Sequence, residues 1–163
     1  MTARILPDYH ELAPLLEPAR GRGARVALTN GCFDVLHVGH VRLLRAAREL
    51  ADLLVVALNS DASARANKGD GRPLVPLAER MELLAAFEGV DYVTSFGEPT
   101  AAALLARLRP EIHVKGTDWT AETVPERDVV QGYGGRVVIA GDPKTHASSD
   151  LIRRIRESRG PVR

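Results

Sequence analysis

Val26-Ala27-Leu28-Thr29-Asn30-Gly31-Cys32-Phe33-Asp34-Val35-Leu36-His37-Val38-Gly39-His40 decides how this chain is read. An apolar strand passes through a glycine turn and ends in His37-x-Gly39-His40, at the start of an apolar-periodic helix. Two imidazoles three positions apart share one helix face. In a first turn they stand beside backbone N–H groups that lack intrahelical partners, at the positive end of the helix dipole. Such a place holds phosphate. Gly31 gives the strand end freedom to turn, and Gly39 lets a phosphate approach the helix backbone closely.

Outward from this stretch, short β-branched apolar runs alternate with longer amphipathic segments. Strands are expected near 25–30, 53–58, 90–95, 111–115 and 136–140. Helices are expected near 8–18, 39–51, 76–88, 99–108, 125–132 and 148–158. Strands separated by helices make βαβ units, so the expected fold is α/β: a doubly wound, five-stranded parallel sheet in three layers. Residues 25–163 form its single domain, and residues 1–24 a preface whose helix Pro14 and Pro18 should break. The loops after the strands, 30–38, 59–75, 96–98, 116–124 and 141–147, should gather at one sheet edge, where open α/β sheets bind ligands.

Bulk properties narrow the function. The 163 residues carry 22 basic and 21 acidic side chains, a net charge of +1, which favours neither nucleic acid nor a membrane surface. No apolar run approaches the roughly 20 residues that span a bilayer, and the N-terminus has no long apolar region, so the cytoplasm is the expected location. A single cysteine, Cys32, excludes an intrachain disulfide framework. Cys32 is either a nucleophile or a buried, inert thiol.

Four further elements belong to the same expected edge. Asn59-Ser60-Asp61 opens a long polar loop with Lys68 and Arg72, which offer cations to phosphates, while Asp61 either holds a substrate hydroxyl or caps a turn. Arg80, on the helix 77–87, either reaches a phosphate or salt-bridges the helix surface. Lys115-Gly116-Thr117-Asp118-Trp119 puts a charged lysine at the end of an apolar strand, and Asp118 can accept from a base or ribose. Lys144 to Asp150 contains Ser148 and Ser149, whose hydroxyls cap the last helix or bind phosphate through the same N–H groups. The basic run Arg153-Arg154-Ile155-Arg156 complements a helix C-terminus.

Taken in order over about residues 25–157, these segments resemble the HxGH nucleotidyltransferases, which include cytidylyltransferases and several adenylyltransferases. Within that family the set is most similar to adenylyltransferases acting on D-glycero-β-D-manno-heptose 1-phosphate, in stand-alone form rather than fused to a sugar kinase. The resemblance implies in-line attack of the sugar 1-phosphate on the α-phosphate of ATP, with Mg²⁺ accompanying the triphosphate. Pyrophosphate leaves, and ADP-heptose forms for lipopolysaccharide core synthesis. It implies catalytic roles for His37, His40, Lys68 and Arg80. Asn30, Gly31, Cys32, Phe33, Gly39, Lys115, Gly116, Asp118, Ser148 and Ser149 would meet the nucleotide, and Asn59, Asp61 and Arg72 the acceptor. No protein-held metal site is implied, and a homo-oligomer is. The rival reading within the family is a cytidylyltransferase for glycerol 3-phosphate or another small phosphate. Outside catalysis, the rival is a nucleotide-binding regulatory module. Two departures stand out: Ser148-Ser149-Asp150 occupies the place of a common Ser-Thr-Thr, and Thr117-Asp118-Trp119 that of a common Gly-Asp-Tyr.

Overall fold

Continuous apolar runs such as Leu54-Val55-Val56-Ala57-Leu58 suit strands covered on both faces. In the computed structural model, which describes residues 2–143 and 147–158, every such run lies in one parallel sheet. The chain order is β1 (Arg4–Asp8), α1 (Tyr9–Arg20), β2 (Val26–Gly31), α2 (Val38–Glu49), β3 (Leu53–Asn59), α3 (Asp61–Lys68) and α4 (Leu77–Ala85). It continues with β4 (Tyr92–Phe96), α5 (Ala102–Leu108), β5 (Ile112–Lys115), α6 (Arg127–Gly132), β6 (Arg136–Ile139) and α7 (Ser148–Ser158). The strands run β1-β4-β3-β2-β5-β6 across the sheet. From β2 the chain first builds toward β3 and β4, then returns to β5 and β6 on the other side. The crevice beyond the end of β2 is therefore the topological switch point, where ligands of such sheets bind.

Alternate side chains feed two cores. Val26, Leu28, Val55 and Ala57 pack with Leu12 and Leu16 of α1 and with Leu104 and Leu105 of α5. Ala27, Leu54, Val56 and Leu58 pack with Leu44 and Ala47 of α2 and with Met81 and Leu84 of α4. The period of two along each strand thus divides one apolar run between two helical layers.

Two elements depart from the expected pattern, and one helix runs further than expected. The sheet has six strands rather than five, because Arg4-Ile5-Leu6-Pro7-Asp8 pairs in parallel with β4 (Arg4 with Tyr92, Ile5 with Val93). Only Leu6 of its five residues is buried, so the strand shows almost no apolar signal. Pro7 is tolerated because β1 is an edge strand. The loop expected over 59–75 begins with a two-turn helix, α3, whose N-cap Ser60 accepts from the Ser63 N–H at 3.2 Å. In α1 the helix runs through Pro14 and Pro18 rather than breaking. The two prolines stand four residues apart on an exposed face, so the carbonyls they leave without partners meet water. Lys144, Thr145 and His146 of the last expected site segment lie outside the described residues.

Ile112 and Val114 of β5 belong to the α2–α4 core, so His113 between them faces the other layer and is fully buried. Its Nε2 lies 2.9 Å from Asn30 Oδ1, while Nδ1 is buried without a partner among the described residues. Burial, reinforced by the nearby Lys115 ammonium, pushes its pKa down to about 3. The unfolded chain takes up this proton near 6.5 and the folded one near 3, so stability is full above about pH 6.5 and drains away as pH falls toward 3. Thermal unfolding followed from pH 7 to pH 4.5 should show a falling midpoint, and His113→Gln should flatten that fall. Equal slopes in the two proteins would remove His113 from the acid response.

Candidate active site

Residues from all the loops beyond the strand ends meet in one cleft of about 590 Å³. Asn30 to His40, Asn59, Lys68, Arg72, Lys115 to Asp118, Ser148 and Ser149 all contribute to its walls. Fifteen of the seventeen residues proposed for the site from sequence are therefore neighbours there, and two are not.

The helix start is built as a reciprocal cap. His37 is the N-cap of α2, and its Nδ1 accepts from the Gly39 N–H at 3.1 Å. In return the His37 N–H donates to His40 Nδ1 at 3.3 Å. This is a capping box in which imidazoles replace the usual hydroxyl and carboxylate. Since each Nδ1 accepts, each neutral ring carries its proton at Nε2. The ring centroids are 4.0 Å apart, and the Phe33 ring lies 5.2 Å from His40. Burial, and then the proximity of His37, push the His40 pKa down to about 4. Burial thus disfavours the charged form of His40, and the cap leaves its Nε2–H as the donor that faces the cleft.

The turn ahead of the helix is strained at an unexpected residue. Gly31 has no left-handed backbone. Instead Phe33 adopts φ 48°, a conformation costly for a bulky side chain. Gly31 serves the turn by leaving room: a Cβ there would meet the Phe33 ring at 3.3 Å. Asp34, the next residue, anchors the turn to the chain ahead of α4. It accepts from the N–H groups of Leu74 and Val75 at 2.7 and 2.8 Å and pairs with Arg72. Burial alone would raise its carboxyl, but these donors outweigh it and hold the pKa below the usual aspartate value. Arg72 therefore reaches the cleft wall as one half of an ion pair.

Arg80 and Asp61 do not reach the cleft. Arg80 is fully buried, and its guanidinium donates to the carbonyls of Val75, Cys32 and Asn59 and to Asp61 at 2.7 Å. The expected phosphate contact is replaced by a structural tie, and Asp61 is used in holding it. Lys68 ends α3 and stands exposed at the rim. Asn59 is buried, with its side-chain amide on Ser63 Oγ at 2.9 Å. Cys32 offers its thiol to Asn59 Oδ1 at 3.7 Å, and burial raises its pKa against the pull of Lys68 and Arg80. A thiol held protonated is a poor nucleophile.

On the opposite wall, Lys115 is held 3.4 Å from Asn30 Oδ1 and 5.4 Å from the Trp119 ring centre. Burial lowers its pKa, an effect opposed by Glu126. Gly116 and Asp118 follow at the cleft edge. Ser148 ties the start of α7 to the loop before α2 by donating to the Val35 carbonyl at 2.8 Å, and Ser149 lies beside it. Asp150 turns away to pair with Arg153 at 3.4 Å. Thr117 Oγ1 donates to the Asp142 carbonyl at 2.6 Å, closing the wall between β5 and β6.

Sequence reasoning missed Glu126, which lines the cleft though only 6% exposed. Nothing in Val124-Pro125-Glu126-Arg127 distinguishes it from a surface helix start. No group of three His, Cys, Asp or Glu side chains among the described residues converges on a metal-sized position. No described helix is long and apolar enough to cross a membrane. Removing the Arg80 tie should be a folding lesion. Arg80→Ala leaves three carbonyls without their donors and should cost roughly 3 kcal/mol or more in urea unfolding. A variant of unchanged stability would show that the tie is dispensable.

Residues 28–155 match the family described as cytidylyltransferase-like. The chain is 51% identical over 144 residues to the bifunctional protein HldE of Syntrophotalea carbinolica and 48% identical over 146 residues to that of Pelobacter propionicus. These alignments cover 88% and 90% of this chain but only 29% and 30% of those proteins. Among solved structures, a lipopolysaccharide core biosynthesis protein from Thermoplasma volcanium superposes with a TM-score of 0.64 at 24% identity, over 75% of this chain and 100% of that one. Pantothenate synthetase from Thermus thermophilus superposes with a TM-score of 0.66 at 18% identity, over 95% of this chain and 70% of that one. Both share the fold. The matched span runs from β2 into α7 and takes in every loop that walls the cleft, so this chain belongs to the cytidylyltransferase-like family and is a nucleotidyltransferase.

Proposed function

We propose that this protein transfers AMP from MgATP to D-glycero-β-D-manno-heptose 1-phosphate, releasing pyrophosphate and forming ADP-heptose. The observation that carries the reading is the 51% and 48% identity, over most of this chain, to relatives named bifunctional protein HldE. The geometry supports the chemistry. In the transfer, an acceptor phosphate oxygen attacks the α-phosphorus, the bond to the bridging oxygen breaks, and charge grows on the pyrophosphate and the equatorial oxygens. His37 and His40 present Nε2–H donors at the α2 N-terminus, where that charge is stabilised. Lys68 supplies a cation at the rim, Arg72 stands beside it paired with Asp34, and the α7 N-terminus with Ser148 and Ser149 supplies further donors. No covalent enzyme intermediate is required, so catalysis consists of positioning and charge stabilisation. The metal enters with the triphosphate, whose oxygens are its natural hard ligands.

Pyrophosphate release from ATP, CTP, GTP and UTP against a panel of sugar and polyol phosphates should be strongest for ATP with the heptose phosphate. Preference for CTP with glycerol 3-phosphate would overturn the substrate reading and leave nucleotidyl transfer standing. His40→Ala should lower kcat roughly 10²- to 10³-fold, as loss of one preorganised oxyanion donor does, while the lost cap bond lowers the melting temperature by only a few degrees. An unchanged kcat would move the reaction away from α2. Cys32→Ser should retain most activity, and complete loss with nucleotide binding intact would restore the thiol to the mechanism.

A further inference from the structure

The cleft has two chemically unlike halves, divided by the end of β2. On the α2 side it offers helix N-termini and N–H donors. On the α5 side it offers acceptors: the side chains of Asn30, Asn59 and Glu126, beside the Lys115 ammonium. Glu126 is the most telling. It directly precedes α6, yet its side chain does not cap that helix. Its Oε1 instead accepts from the Ala101 N–H at 3.2 Å, at the start of α5. Its Oε2 is buried and has no hydrogen-bond partner among the described residues. An unpaired carboxylate oxygen in so enclosed a place is costly unless a donor comes to it.

That donor cannot be a phosphate, because a carboxylate repels it. Lys115 is partly committed to Asn30 Oδ1, an oxygen that also faces His113 Nε2 at 2.9 Å. Among the groups that a phosphorylated polyol offers, the donor is an uncharged O–H. We propose that Glu126 Oε2 accepts a hydroxyl hydrogen of the acceptor molecule, making the α5 half of the cleft a subsite for its polyol body while its phosphate lies toward α2. This deepens the proposed reaction and rests on it for the existence of a hydroxylated phosphate acceptor. Glu126 then acts as a specificity residue: it distinguishes acceptors by their hydroxyls and takes no part in the bond exchange.

The test is steady-state kinetics of Glu126→Gln with ATP and the heptose 1-phosphate. The glutamine keeps an acceptor for the Ala101 N–H and removes the charge. Its KM for the acceptor should rise roughly ten- to hundredfold, the worth of one hydrogen bond to a charged group, with the KM for ATP and the melting temperature nearly unchanged. A rise confined to ATP, or no rise for either substrate, overturns the proposal. Should the glutamine unsettle the fold, mono-deoxy analogues of the acceptor carry the same test on the wild-type protein. One missing hydroxyl should then cost at least tenfold in kcat/KM, and tolerance of every deletion overturns the proposal. If wild-type protein rejects the heptose phosphate but uses another polyol phosphate, the substrate reading has failed, and the Glu126 comparison is made on that acceptor.

Discussion

The guanidinium of Arg80 is the fixed point on which this site depends. The strand ends that wall the cleft belong to different βαβ units, and nothing in the sheet ladder sets the path of the loops beyond them. Arg80 binds the carbonyl of Cys32 after β2, that of Asn59 at the end of β3 and that of Val75 before α4, and it holds Asp61 at the start of α3. A planar fork with five donors can join several carbonyls in one geometry, as a lysine cannot. Asp34 complements it from the other direction, gathering the Leu74 and Val75 N–H groups and Arg72. Between them the two side chains position the turn that delivers His37 to α2. The strained φ of Phe33 persists because that turn is held at both ends.

The histidine pair shows why neutrality serves an anion site. Two imidazolium rings 4.0 Å apart would repel strongly and would lose both capping bonds, since a protonated Nδ1 cannot accept. Burial and mutual proximity keep His40 uncharged, and the cap keeps its proton on Nε2. In the proposed transfer these donors are thus aligned before substrate binds and need no reorganisation as charge develops on the phosphorus oxygens.

The sheet from β2 to β6 was legible because each strand is a β-branched run and each crossover a helical period, and the strand ends agree to within two residues at each boundary. The cleft was legible for the same reason: parallel topology brings all the strand-end loops to one side, whatever their length. The elements that escaped notice lacked a local signal. β1 buries one residue in five and contains a proline. α3 offers little more: Ser60 can cap a helix, but the polar composition of Asp61–Lys68 reads equally well as loop. Arg80 looked like a phosphate ligand because sequence reports residue type and position, not which way a helix turns. At its place in α4 the buried face points beneath the loops rather than into the cleft.

Glu126 illustrates the limit from the other side. A carboxylate next to a helix start is commonplace in sequence. Its meaning comes from a partner 25 positions earlier, the Ala101 N–H, and from the burial that the contact enforces. Once the residue is seated there, electrostatics divides the cleft without any ligand in view. Anionic groups are favoured at the N-termini of α2 and α7 and disfavoured beside the Glu126 carboxylate on the α5 wall. A molecule with a phosphate at one end and hydroxyls at the other fits that polarity in only one direction. In the proposed reaction, the polarity that keeps phosphate from Glu126 turns the acceptor's phosphate toward α2, so its orientation for in-line transfer follows from where the sheet ends its strands.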